Sequence, residues 1–71
     1  MSWELTIELE REDDGRWIAE VPQLPGVLAY GATEAEAFTA AQALALRVVA
    51  DQVAHSEVSP GQQLKIAIAA G

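Results

Sequence analysis

The stretch Val21–Ala37, VPQLPGVLAYGATEAEA, decides how this 71-residue chain folds. Pro22 has no N–H to donate, so a strand running into it must stop. Pro25-Gly26 fits the centre of a type II turn: proline presets the first φ and glycine accepts the positive second one. Val27–Tyr30 is short and apolar and predicts a strand, and Gly31 gives it a tight exit. Thr33-Glu34-Ala35-Glu36 then matches a capping box. The Thr33 hydroxyl accepts from the N–H three residues on, and Glu36 reaches back to the N–H of Thr33. Both acids suit the positive end of a helix dipole.

Upstream, Trp3, Leu5, Ile7 and Leu9 alternate with Glu4, Thr6, Glu8 and Glu10, a strand with one apolar and one acidic face. Asp14-Gly15 signals a hairpin turn. Arg16–Val21 is the returning strand, with Trp17, Ala19 and Val21 on one side. Trp3 and Trp17 share the apolar face of this hairpin and meet only if the register sets them opposite. Downstream, the helix is expected to run to Val53 or Ala54. Ala37, Ala41, Leu44, Ala45 and Val48 fall on one face, flanked by Phe38. Ser59-Pro60-Gly61 reads as a turn. Leu64, Ile66 and Ile68 alternate with Lys65, Ala67 and Ala69 in a fourth strand.

The order is β-β-β-α-β, an α+β fold. A right-handed crossover through the helix sets the fourth strand parallel to the third. The first strand runs the same way as the third, so the fourth can lie beside the first. The expected sheet is mixed, four-stranded and ordered 3-2-1-4, with the helix on one face. Residues 1–71 read as a single domain with no repeat.

A domain this short has a marginal core, commonly supported by disulfides, a metal or self-association. There is no cysteine and His55 is the one histidine, which leaves self-association, as a homodimer or tetramer. The absence of cysteine fits a reducing cytoplasm. Eleven acids against four bases give a net charge of -7, which repels nucleic-acid phosphates and suits a basic protein partner. No apolar run reaches the ~20 residues of a membrane span, and the acidic, alternating N-terminus is not a signal peptide.

The acids raise the question of metal-dependent nuclease chemistry, which needs several carboxylates on one or two cations. Glu4, Glu8, Glu10 and Asp13 are the candidates. A solvated strand face plus a turn accounts for them better, because the fourth strand carries no carboxylate. His55 belongs to the helix end, where a cation meets the negative dipole. Ser2, Ser56 and Ser59 have no histidine-plus-acid setting, and PGVLAYG lacks the lysine and the glycine density of a phosphate loop. Single-stranded nucleic-acid sites combine aromatics with basic residues, and only Arg11, Arg16, Arg47 and Lys65 are basic here, so core or subunit-interface packing is the better reading of the aromatics. No catalytic residue, cofactor or metal is therefore expected.

The segment Asp13–Leu46 resembles the HicB-like antitoxin family. The match rests on Gly15, Trp17, Val21-Pro22, Leu24-Pro25-Gly26, Gly31, Thr33, Glu36 and Ala37, in that order. The resemblance implies a partly reduced ribonuclease H-like fold without its catalytic set. It also implies a partner, a small basic mRNA-cleaving toxin that the domain masks. Many relatives continue into a C-terminal DNA-binding segment, and this sequence ends at Gly71 without one, so autoregulation through DNA is not expected. For the partner surface the exposed acids are the candidates: Glu4, Glu8, Glu10, Glu12, Asp13, Asp14 and Glu20. For self-association the candidate is the edge of the third strand, Val27, Leu28, Ala29 and Tyr30, because an unpaired edge invites strand addition. An orphan homo-oligomer without a toxin is the alternative reading.

Overall fold

The computed structural model describes residues 2–56, 61 and 63–71. The chain runs β1 (Ser2–Arg11), β2 (Trp17–Glu20), β3 (Leu28–Gly31), α1 (Glu34–Ala54) and β4 (Lys65–Ala70). It forms one four-stranded sheet in the order β3-β2-β1-β4. β1–β2 and β2–β3 are antiparallel, and β1–β4 is parallel. This is the α+β architecture that the sequence predicts. Of the expected turn Ser59-Pro60-Gly61, Ser59 and Pro60 lie outside the described residues, and Gly61 takes φ +94°.

The first hairpin closes through the loop Asp13–Gly15, where Glu12 N–H donates to the Arg16 carbonyl at 2.7 Å and Gly15 N–H to the Glu12 carbonyl at 3.0 Å. Gly15 takes φ +91°, the left-handed region that favours glycine. The register sets Arg11 opposite Trp17. Trp3, eight positions earlier on β1, instead lies beside Ile66 of β4. The two tryptophans therefore do not meet across the hairpin.

The β2–β3 connection is two turns in succession. Leu24 N–H donates to the Val21 carbonyl and Val27 N–H to the Leu24 carbonyl, both at 3.0 Å. Gly26, at φ +85°, supplies the positive φ of the type II turn. The double turn tucks Val21, Leu24 and Val27 into the core. It also leaves β1 short of a ladder partner, because Pro22 stands where a pairing residue should be. Gln23 substitutes for it: its Oε1 accepts from Thr6 N–H at 3.1 Å, and its Nε2 donates to Thr6 Oγ1 at 3.2 Å.

Helix α1 starts at the predicted cap. Thr33 Oγ1 accepts from Glu36 N–H at 3.1 Å. The reciprocal arm differs from expectation: Glu36 Oε2 accepts from Ala32 N–H at 2.9 Å, one residue before the cap. Ala37, Ala41, Ala45 and Val49 recur every four residues and are buried. Their small size lets the helix lie close on the sheet. At Gly31 the first turn of α1 leaves no room for a side chain: an added Cβ would strike Ala37 N and come within 2.8 Å of Glu36 Cβ. Gly31 is therefore required by packing, not by a turn conformation. Leu5, Ile7 and Ala19 complete the buried layer. Burying Ile7, Val21 and Val49 fully contributes about 1.5–3 kcal/mol each. The helix packs on β1, β2 and β3, whereas β4 packs substantially on β1 alone.

Candidate functional site

Strand alternation sorts the sheet into two faces. Trp3, Leu5, Ile7 and Leu9 of β1 turn toward the helix, as do Trp17, Ala19 and Ala29. Glu4, Thr6, Glu8 and Glu10 turn away, with Ile18, Glu20, Leu28 and Tyr30. The register brings Glu8 directly opposite Glu20, and Glu10 opposite Ile18. In the next row, Glu20 is opposite Leu28 and Ile18 opposite Tyr30. A groove results, lined by Glu8, Leu9, Glu10, Glu12, Ile18 and Glu20.

Like charges directly opposite on a sheet destabilise it, so the Glu8–Glu20 pair has an energetic cost. No cation offsets it: among the described residues the lysine and arginine side chains make one ion pair, Arg16–Asp14, and His55 Nδ1 lies 3.7 Å from Asp51 Oδ1. Arg16 lies on the same outer face but is already engaged. Its Nε donates to Asp14 Oδ2 at 2.8 Å, and its guanidinium sits 4.9 Å from the centroid of the Tyr30 ring. The Arg16 backbone N–H also donates to Asp14 Oδ1 at 3.0 Å. That backbone bond first, and the guanidinium after it, hold the Asp14 carboxyl below its ordinary value.

The seven candidate acids thus divide three ways. Glu8, Glu10, Glu12 and Glu20 gather in the groove. Asp13 and Asp14 lie at the hairpin tip, with Asp14 turned to Arg16. Glu4 stands apart, alongside Ala67 of β4 and separated from Glu8 by Thr6 with its Gln23 partner. Glu4, Glu8, Glu10 and Asp13 do not gather as a nuclease metal site would need; among the described residues no group of three or more such side chains could hold a metal ion. His55 caps the exposed C-terminus of α1, its Nδ1 2.7 Å from the Asp51 carbonyl.

At the other candidate surface, β3 is an edge strand, and Leu28 and Tyr30 are exposed on the outer face. Val27, just before β3, is buried and Ala29 packs against the core, so the edge turns Leu28 and Tyr30 outward, the two side chains that strand alternation selects. Sequence reasoning passed over Ile18, which alternation places in the middle of the outer face, between Glu10 and Tyr30. It also passed over Gln23, whose only signal is its position after a strand-ending proline.

Fold and surface together define an α+β domain with one helix-covered face and one open, acidic face. No protein-family model, curated protein or solved structure matches the chain. No helix among the described residues is long and apolar enough to cross a membrane.

Proposed function

We propose that this chain is a non-catalytic, antitoxin-type binding module whose acidic sheet face sequesters a small basic protein, an mRNA-cleaving toxin, in the cytoplasm. The observation that carries this is the Glu8–Glu20 pair, with Glu10 and Glu12 beside it and, among the described residues, no cation paired with either member. A chain selected for stability alone gains nothing from two carboxylates directly opposite. A lysine- or arginine-bearing partner removes the repulsion on binding and gains charge-assisted hydrogen bonds. Ile18, Leu28 and Tyr30 beside the groove supply the apolar contact that a charged rim alone lacks. The resemblance of Asp13–Leu46 to HicB-like antitoxins favours a ribonuclease toxin as that partner.

Co-expression with a basic candidate toxin tests the reading. A complex on gel filtration at low and moderate salt, with growth restored, is expected. The variant Glu8→Gln/Glu10→Gln/Glu20→Gln should fold at least as stably and lose at least tenfold in affinity. No complex and no rescue would refute the proposal. The second reading, a homo-oligomer without a toxin, has its own support in the uncovered face of β4.

A further inference from the structure

We infer that β4 is the contact strand of a symmetric homodimer, in which a second copy pairs antiparallel with it and extends the sheet across a two-fold axis at Ala67. This surface is separate from the acidic groove and does not depend on the toxin reading.

β4 is bare where the other strands are covered. Leu64 and Ile66 are 49% and 41% exposed, although Ile66 and Ile68 lie on the helix side of the sheet beside Trp3 and Leu5. The indole Nε1 of Trp3 is buried without a hydrogen-bond partner. At the far end of β4 a furrow against α1 is lined by Leu9, Ala35, Phe38 and Ala70, with Glu34 and Thr39 at the helix start. So an apolar strip runs along a strand that, among the described residues, has a strand neighbour on one side only.

The free edge is chemically complete. Gly71 N–H donates to the Ile7 carbonyl at 2.9 Å, so Gly71 points its backbone at β1. By alternation Lys65, Ala67 and Ala69 do the same. The N–H and C=O groups of Leu64, Ile66, Ile68 and Ala70 therefore face outward along the edge. Natural edges are blunted by charge, proline or bulges. From Leu64 to Gly71 this one has a single charge, Lys65, and no proline.

Two observations select a second copy as the occupant. A basic partner is drawn to the groove glutamates on the opposite face, whereas this strip is the charge-poor part of a chain of net charge -7. And the strand is self-complementary. An axis at Ala67 pairs Ile66 with Ile68 of the second copy and Leu64 with Ala70, using every outward-facing group. It keeps the two Lys65 ammonium groups apart and lays each over the short Ala69 of the other copy, toward the acidic row of that copy's β1.

The absence of native cysteine makes the test direct. At the axis the two Ala67 residues form a non-hydrogen-bonded antiparallel pair, about 4.5 Å between Cα atoms, which a disulfide can span. Ala67→Cys is expected to form a covalent dimer under mild oxidation, whereas Ala69→Cys, about four residues out of register with its own copy, is not. Sedimentation equilibrium of the unmodified chain should give a dimer. Ile66→Lys should weaken it at least tenfold while far-ultraviolet circular dichroism stays unchanged. Should that variant unfold, Ala70→Pro removes an edge N–H without touching the β1 ladder and should also weaken the dimer. A monomer at all concentrations, equal crosslinking of both cysteine variants, or a dimer lost in Leu28→Glu but kept in Ile66→Lys would each overturn the inference.

Discussion

Gly31 is set by a neighbour that lies close to it in the chain but in a different element. Its φ is not positive, so no turn explains it; the first turn of α1 leaves no room for a side chain. Gly31→Ala must push against the Glu36–Ala37 backbone, which cannot swing aside as a side-chain tip can. A loss of about 1–3 kcal/mol is expected in urea unfolding. Asp14 makes a different prediction. Its carboxyl is held below its ordinary value of 3.8 by the Arg16 backbone N–H and guanidinium. A depressed acid stabilises the fold above its unfolded value, and that contribution disappears as pH falls through the folded one. Asp14→Asn should therefore flatten the acid limb of the stability curve below pH 3.8. A wild-type and variant difference that is constant from neutral to acid pH would contradict this.

At the scale of elements, α1 was legible in the sequence to the residue at its start and within a residue at its end. Capping is local: Thr33 and Glu36 act within one turn, so their spacing is sufficient information. Thr33→Ala is expected to cost about 1 kcal/mol, read as a lowered unfolding midpoint. The choice of Ala32 over Thr33 as the Glu36 partner was not legible, because it depends on how β3 enters the helix. The strands were equally clear where alternation is strong, as in β1. Their residue-by-residue register was not. A strand pattern says which residues share a face, but only register says which lie opposite. That is why the groove acids Glu8 and Glu20 were both candidates while their pairing stayed hidden, and why Trp3 and Trp17 stayed apart.

At the scale of the molecule, two surfaces of opposite character lie on opposite sides of one sheet. One is acidic and open; the other is an apolar strip along β4. Their responses to salt should differ in sign. Salt screens attraction between the groove and a basic protein, so that affinity should fall as salt rises. Two copies of a chain with net charge -7 repel at long range, so salt should strengthen their association through β4. Sedimentation for the dimer and titration calorimetry for a basic partner, each across a salt series, would separate the two. Parallel salt trends would mean that one surface serves both contacts.

By itself the sequence determined the element order, the two prolines that end β2 and turn the chain, the capped helix and the strand order 3-2-1-4. These follow from local rules: missing N–H groups, positive φ, side-chain period and crossover handedness. Only the tertiary structure decided that Glu8 faces Glu20, that Gln23 fills the ladder position Pro22 leaves empty, and that α1 stops short of β4. Each of these depends on residues distant in the chain being brought side by side, and on a helix of 21 residues being wide enough to cover three strands but not a fourth.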